Sequence, residues 1–169
     1  PILASIQRVL ASGKYIMGNE VDSFEKEFAN FLGARYAVGV ASGTDAIALA
    51  LRGVGVGTGD EVITVSHSAV ATVAAIEQLG AIPVFADINP VTRCLDPEVI
   101  PRLISKQTKA IVPVHIYGQP AQIAEIVSVA REYGLRVVED CAQAHGAEVG
   151  GKKVGTFGDA AAFSFYPTK

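Results

Sequence analysis

The stretch Arg136-Val137-Val138-Glu139-Asp140 is a short apolar run that ends in two acids. A valine-rich run of this length is typical of a buried β-strand. Similar runs alternate with segments of helical periodicity along the rest of the chain. The patterns predict strands over residues 37–40, 61–65, 82–86, 110–114, 136–139 and 160–165, and helices over 2–10, 44–52, 69–79, 97–104 and 121–133, with one more from the region of Asn19 or Asp22 to Gly33. Continuous apolar strands separated by helices predict an α/β fold with a mostly parallel sheet covered on both faces.

Composition limits what the protein can do. The 169 residues are 50% apolar and 18% charged, which suffices for one core and argues against disorder. The net charge is −3 and no basic stripe occurs, so a small soluble ligand is favoured over nucleic acid or an anionic membrane. No apolar stretch reaches the roughly 18 residues of a membrane span and no signal-peptide pattern is visible, so we expect a cytoplasmic protein.

The cysteines and the chain ends add two further expectations. Cys94 and Cys141 are too few and too far apart for a disulfide framework, and they have no metal-ligand spacing. Both ends of the chain interrupt a structural pattern, so we expect that the chain is part of a longer protein. We predict no metal site.

Parallel α/β sheets bind ligands beyond the carboxyl ends of their strands. The segment Ser42-Gly43-Thr44-Asp45 follows one such predicted end and begins a helix at once. Free N–H groups and the dipole at a helix start favour an anion, so a phosphate could bind at Gly43 and Thr44. The same residues fit an ordinary turn in which Ser42 or Thr44 caps the helix, and this motif alone does not decide between the two.

Two further strand ends carry an acid and a lysine. Asp140 needs a partner or water at the end of its apolar strand; a protonated ring nitrogen would serve, and capping of the next turn is an equal alternative. Lys169 follows Pro167-Thr168 after a predicted strand. A lysine amine can hold an aldehyde cofactor as a Schiff base, although most lysines are simply solvated. Together the two residues suggest a pyridoxal phosphate site, with the aspartate paired to the pyridinium nitrogen.

Four more polar or aromatic residues lie at predicted strand ends or in the loops that follow them. Gln143 could contact a ring hydroxyl or satisfy backbone groups of its loop. Ser164 is either a phosphate ligand or an ordinary strand hydroxyl. His67 should lie on the same rim as Gly43, where it could flank a cofactor or bond within its loop. Tyr117 could contact a substrate or pack against its loop.

Five motifs, taken in order, carry a family resemblance. They are Ser42-Gly43-Thr44-Asp45, Val65-Ser66-His67, Pro113-Val114-His115-Ile116-Tyr117-Gly118, Glu139-Asp140-Cys141-Ala142-Gln143-Ala144-His145-Gly146 and Ser164-Phe165-Tyr166-Pro167-Thr168-Lys169. In this order they resemble the DegT/DnrJ/StrS-type sugar aminotransferases over essentially the whole chain. The resemblance implies the aspartate-aminotransferase type of fold, with a three-layer large domain of the seven-stranded type, a smaller C-terminal domain and an active site shared across a homodimer. Residues 1–169 would be a single, incomplete large domain that binds pyridoxal phosphate.

The same resemblance implies a role for each site residue. Lys169 would form the internal aldimine, Asp140 would pair with the pyridine nitrogen, and Gln143 would lie beside the ring hydroxyl. The implied phosphate ligands are Gly43, Thr44 and Ser164. The implied reaction moves an amino group from glutamate or glutamine to a nucleotide-linked keto-sugar, for an antibiotic sugar or a surface polysaccharide.

Ala69 departs from the family pattern, because many members have an aromatic residue there that covers one face of the ring. Either His67 covers that face or another group does. A regulator that binds pyridoxal phosphate or a sugar without turnover is therefore an alternative, as are relatives that aminate cyclitol ketones or make aminohydroxybenzoate. Dehydratase relatives have histidine in place of Lys169, so this lysine favours transamination. A dinucleotide-binding domain is disfavoured because the first predicted strand is not followed by Gly-x-Gly-x-x-Gly.

Overall fold

The structure is a computed structural model that describes residues 2–169. The chain divides into two compact units, Pro1–Gly39 and Val40–Lys169. The first unit contains α1 (Ile2–Ser12) and α2 (Asn19–Leu32), as the helical periodicity predicts. Gly33 ends α2 because its φ of 76° is left-handed, which lets its N–H group reach carbonyls of the last turn. None of the helices within residues 2–169 has the length and apolar character that a membrane crossing requires.

The second unit is built around a sheet of five parallel strands. In chain order its elements are α3 (Gly43–Gly53), β1 (Glu61–Val65), α4 (Val70–Glu77), β2 (Ile82–Ala86), a 3-10 turn (Pro97–Val99) that continues into α5 (Ile100–Leu103), β3 (Thr108–Ile111), a second 3-10 turn (Ile116–Gly118), α6 (Ile123–Glu132), β4 (Arg136–Asp140), β5 (Glu148–Val149), β6 (Lys152–Lys153) and β7 (Ala160–Ala162). The strand order is β2-β1-β3-β4-β7, and β5 and β6 form a separate antiparallel hairpin. Each neighbouring pair in the five-stranded sheet is parallel.

Helices cover both faces of this sheet. Successive residues of a strand point to opposite faces, and neighbours such as Val137 and Val138 accordingly belong to different core clusters. One cluster joins strand residues to α5 and α6 through side chains such as Ile100 and Ile126. The other joins the opposite face to α3 and α4 through side chains such as Leu51 and Ile76. The three-layer α/β fold is therefore confirmed.

Several predicted bounds differ from the structure. Residues 37–40 form no strand. The Gly39 N–H group donates to the Glu25 carboxylate at 2.6 Å, whereas in a strand it would donate to a carbonyl of a neighbouring strand. Val38 is 77% exposed. The last predicted strand, 160–165, ends at Ala162. The predicted helix 97–104 is a 3-10 turn followed by one helical turn. Within residues 2–169 the sheet has five strands, which is compatible with the incomplete large domain of the seven-stranded type that the resemblance implies.

Candidate active site

The parallel arrangement brings the carboxyl ends of β1, β3, β4 and β7 to one edge of the sheet. His67 follows β1, Tyr117 lies in the 3-10 turn after β3, Asp140 ends β4, and Ser164 and Lys169 follow β7. A single edge therefore carries side chains from four separate segments of the chain. This edge is where α/β sheets bind their ligands.

The start of α3 lies directly against the segment that follows β7. A Cβ atom added to Gly43 would lie 2.9 Å from the Cβ of Ser164 and 3.2 Å from its Oγ, which is closer than side-chain carbons approach. Glycine is therefore required if the Ser164 hydroxyl is to lie beside the first N–H groups of α3. The first four N–H groups of a helix have no intrahelical acceptor. This pairing of helix start and hydroxyl is chemically suited to a phosphate.

Ser42 caps α3, so the capping interpretation of this motif is confirmed. The Ser42 Oγ accepts a hydrogen bond from the Asp45 N–H at 3.1 Å and donates to the Asp45 carboxylate at 2.6 Å. The cap orders the turn and leaves the N–H groups of Gly43 and Thr44 at the helix start. Capping and anion binding are therefore compatible in this motif.

Asp140 is buried, with 4% of its surface exposed. One carboxylate oxygen accepts a hydrogen bond from the Thr72 hydroxyl at 2.8 Å, and the other accepts one from the Ala142 N–H at 3.1 Å. Burial raises the pKa of Asp140 above its usual value, against the opposing effect of these hydrogen bonds and of the charge on Lys169. A cationic partner would stabilise the carboxylate of Asp140, because a nearby positive charge favours the ionised form of a buried acid.

The structure adds Thr72 to the site, a residue that the sequence motifs alone do not single out. It lies on α4, is fully buried and also shares a hydrogen bond of 2.9 Å with the Ser68 hydroxyl. Because Thr72 donates its single proton to Asp140, the Ser68 hydroxyl is the donor to Thr72. A hydroxyl inside an otherwise apolar helix needs a partner, and that requirement is the signal that could have identified Thr72.

Gln143 and Tyr117 interact through the backbone. The Gln143 Oε1 accepts a hydrogen bond from the Tyr117 N–H at 2.9 Å, so the interpretation that Gln143 satisfies loop backbone is confirmed. Tyr117 has a φ of 58°, in the left-handed region that bulky residues rarely adopt. The hydrogen bond defines which end of the Gln143 amide is the oxygen. The NH2 group of Gln143 is therefore left to donate to another partner.

His67 and Tyr117 meet at the same edge, with ring centroids 5.8 Å apart in an edge-to-face arrangement. Tyr117 is exposed, whereas His67 is half-buried. Ala69 is exposed at the start of α4.

Lys169 is exposed, and its backbone N–H donates to the Tyr166 carbonyl at 2.8 Å. Its charge acts on Asp140 in the direction that favours the carboxylate. His145 belongs to the same sequence motif as Asp140 and packs against the rings of Phe163 and Phe165. Burial lowers the pKa of His145, although a hydrogen bond with the Ser164 backbone opposes this.

Comparison with known proteins identifies the protein family of this chain. The model of the DegT/DnrJ/EryC1/StrS aminotransferase family matches residues 1–169. The chain belongs to this family. The family expected from the five motifs is thereby confirmed.

Individual relatives agree with that assignment. A dTDP-3-amino-3,4,6-trideoxy-alpha-D-glucose transaminase of Micromonospora megalomicea subsp. nigra is 50% identical over 99% of this chain and 45% of its own length. The crystal structure of DesV from S. venezuelae in complex with a ketimine intermediate has a TM-score of 0.94 and 46% identity, covering 98% of this chain and 45% of that one. NtdA from Bacillus subtilis, solved with its cofactor PMP bound, has a TM-score of 0.94 and 39% identity, covering 99% of this chain and 38% of that one. The chain thus spans about 45% of the length of the curated relatives that it matches.

Proposed function

We propose that the protein containing this chain is a pyridoxal-phosphate-dependent aminotransferase that moves an amino group from glutamate or glutamine to a nucleotide-linked keto-sugar. The observation that carries the proposal is the arrangement of three groups at one sheet edge. Asp140 is buried with a raised pKa, and Gly43 leaves room for the Ser164 hydroxyl beside the start of α3. Lys169 lies on the segment after β7. The similarity to named sugar transaminases supports the substrate class.

The donor set of the site fits the cofactor. A phosphate at the start of α3 would accept from the N–H groups of Gly43 and Thr44 and from the Ser164 hydroxyl. Asp140 would hold a proton on the pyridine nitrogen, which relieves the cost of its own burial. The NH2 group of Gln143 would donate to the ring hydroxyl. When bound, the cofactor supplies an electron sink for the bond changes at the substrate's α-carbon.

Position at the edge supports the roles proposed for the remaining residues. Lys169 would link covalently to the cofactor and, once released, carry the proton to and from the substrate's α-carbon. His67 would flank the ring on the side where Ala69 offers only a methyl group. Tyr117 would contact the substrate, because its exposed ring projects from the same edge.

We also propose a homodimer, a cytoplasmic location and a domain assignment. Exposed Val70, Tyr117 and Tyr166 at or near the sheet edge support an active site that a second copy completes. Cys94 and Cys141 are both free, which agrees with the cytoplasm. Residues 1–169 would form part of one large domain, with the smaller C-terminal domain outside them.

The proposal is tested on the purified full-length protein. We expect it to bind pyridoxal phosphate with an absorption band in the visible, and we expect Lys169→Ala to lose the covalently linked form of that band. Lys106→Ala, which removes an exposed lysine before β3, is the matched control and should keep it. A wild-type protein that stays colourless after reconstitution would contradict the proposal.

The second candidate is a regulator that binds pyridoxal phosphate or a sugar without turnover. Ala69 favours it, since no aromatic ring stands at that exposed position. A single-turnover assay separates the two. Amino transfer from glutamate to a nucleotide-linked keto-sugar supports the enzyme, whereas stable cofactor binding without any transfer supports the regulator.

A further inference from the structure

Glu139 and His115 form a buried ionisable pair that the proposed reaction does not use. Both side chains are fully buried, and the His115 Nε2 lies 3.1 Å from the Glu139 Oε2. Glu139 is the residue before Asp140 on β4, and His115 lies just after β3. Burying a charged side chain is costly unless hydrogen bonds satisfy it. The pair therefore requires a structural explanation of its own.

Three backbone N–H groups donate to the Glu139 carboxylate. The Phe157 and Gly158 N–H groups each donate to Oε1 at 2.8 Å, and the Gly155 N–H donates to Oε2 at 2.8 Å. The fourth contact is that with His115. The Ala121 N–H donates to the His115 Nδ1, which leaves the ring proton on Nε2, so every partner of the Glu139 carboxylate is a donor and a proton on either oxygen would have no acceptor. Glu139 is therefore ionised.

The hydrogen bonds of His115 define its tautomer. The Ala121 N–H donates to Nδ1 at 2.9 Å, so Nδ1 is unprotonated. The ring proton is then on Nε2, where it is donated to Glu139. The Cys141 thiol brings a third donor atom within 4.8 Å of these two side chains. A metal ion is nevertheless disfavoured, since both ring nitrogens and both carboxylate oxygens are already engaged.

The turn that Glu139 holds is tightly packed. A Cβ atom on Gly158 would lie 2.6 Å from the Val137 carbonyl oxygen, and one on Gly155 would lie 2.6 Å from the ring of Phe163. The turn thus lies directly against β4 and the segment after β7. Its N–H groups reach Glu139 only in this close arrangement, and the turn leads straight into β7.

We infer that Glu139 is a positioning residue, whose carboxylate joins turn 155–158 to loop 115–121 and so sets the placement of Lys169 and Gln143 relative to Asp140. The turn leads into the strand after which Lys169 follows. The loop carries Tyr117, whose N–H group orients Gln143. Glu139 itself is fixed to Asp140 through the backbone of β4. This inference rests on the proposed aminotransferase function for its effect on the reaction.

The first test measures the tautomer of His115 and does not depend on activity. In the full-length protein labelled with ¹⁵N-histidine, the signal of His115 is identified by its loss in His115→Gln. We expect the neutral ring with its proton on Nε2, both with and without pyridoxal phosphate. A proton on Nδ1, in either the neutral or the charged ring, would overturn the inference.

The second test uses Glu139→Gln, which keeps the shape and removes the charge. In one orientation of the amide, its NH2 group faces the Phe157 and Gly158 N–H groups. In the other, it faces the Gly155 N–H group and the His115 ring. Either orientation places donor against donor. His115 cannot adapt by moving its proton to Nδ1, because the Ala121 N–H already points there. We expect kcat at saturating cofactor to fall about tenfold with little change in the KM for glutamate. The visible circular dichroism per bound cofactor should fall as well, because the ring is held less uniformly.

Glu132→Gln is the matched control, since it removes an exposed carboxylate from α6. It should keep the wild-type kcat and dichroism. Wild-type values in Glu139→Gln would overturn the positioning role. If Glu139→Gln does not fold, the tautomer measurement on the wild-type protein still decides. If the wild-type protein binds no pyridoxal phosphate, the proposed function fails, whereas the tautomer result stands by itself.

Discussion

Glu139 and Asp140 are consecutive residues of β4 and both are buried, but their carboxylates meet different surroundings. Glu139 receives three backbone N–H groups and the His115 ring. Burial raises the pKa of Glu139, but the hydrogen bonds from His115, Gly158 and Gly155 outweigh it and hold the pKa below its usual value. Among residues 2–169, Asp140 receives only the Thr72 hydroxyl and the Ala142 N–H, and burial leaves its pKa raised.

The difference shows how one strand end serves both fold and chemistry. A buried carboxylate with a full set of donors stabilises the turns around it and has nothing to offer a ligand. A buried carboxylate with an incomplete set is stabilised by a cation that arrives later, here the protonated ring nitrogen of the proposed cofactor. The neighbouring positions therefore divide the work, with Glu139 placing the loops and Asp140 meeting the ligand.

The largest effect should come from Asp140→Asn. The amide cannot hold a proton on the pyridine nitrogen electrostatically, so we expect amino transfer by the full-length protein to fall by about a thousandfold, as when a preorganised electrostatic group is removed. Single-turnover transfer from glutamate to a nucleotide-linked keto-sugar measures this. Asp87→Asn is the control, since Asp87 is an exposed acid directly after β2. Activity within a few-fold of wild type in Asp140→Asn would refute the role given to this acid.

The two acids should also differ in their contribution to the stability of the cofactor-free protein at neutral pH. We expect Glu139→Gln to lower the free energy of unfolding by about 3 kcal/mol, because it leaves buried N–H donors facing an amide. Asp140→Asn should leave that free energy unchanged or raise it, since it removes a carboxylate that is costly to ionise. Denaturant unfolding measures both variants. Equal losses in the two would show that the comparison is wrong.

The pH dependence of stability should have opposite signs for the two acids. The pKa of Glu139 is lower in the folded state, so its contribution is present above its ordinary pKa of 4.5 and is lost as pH falls through the folded value. The pKa of Asp140 is higher in the folded state, so its cost is absent below its ordinary pKa of 3.8 and grows as pH rises towards the folded value. Glu139→Gln should therefore lose less free energy of unfolding than the wild-type protein as pH falls. Asp140→Asn should exceed the wild-type free energy of unfolding by the largest amount at neutral pH.

Part of this site was accessible from the sequence. The apolar runs that predicted β1, β2 and β4 are continuous and bounded by turn residues, and the strand-end rule placed Asp140 and Lys169 on one edge. Residues 37–40 show the limit of the method, because an apolar run becomes a strand only where another strand pairs with it. The Glu139 contacts depend on close packing of a turn that is distant in sequence, so no local pattern reveals them. Thr72 lies between these cases, since its buried hydroxyl demands a partner that the sequence does not name.

The smallest expected effect concerns the hydroxyl that Thr72 donates to Asp140. In the wild-type protein this hydrogen bond lowers the pKa of Asp140. Thr72→Val keeps the shape of the side chain and removes the bond. Without it the pKa rises further, so at any given pH a larger fraction of Asp140 is protonated and less able to pair with the ring nitrogen. We expect kcat to fall by about tenfold, with the loss greatest on the acid side of the pH profile.

Thr64→Val provides the matched control for this variant. Thr64 is equally buried, and its hydroxyl donates to the Val112 carbonyl at 2.9 Å, away from Asp140. Each variant should cost about 1 kcal/mol in the free energy of unfolding, because each loses one buried hydrogen bond. Only Thr72→Val should change kcat and its pH profile. If both variants lowered kcat equally, the effect would be one of general stability, and Asp140 would not depend on its hydroxyl donor for its charge state.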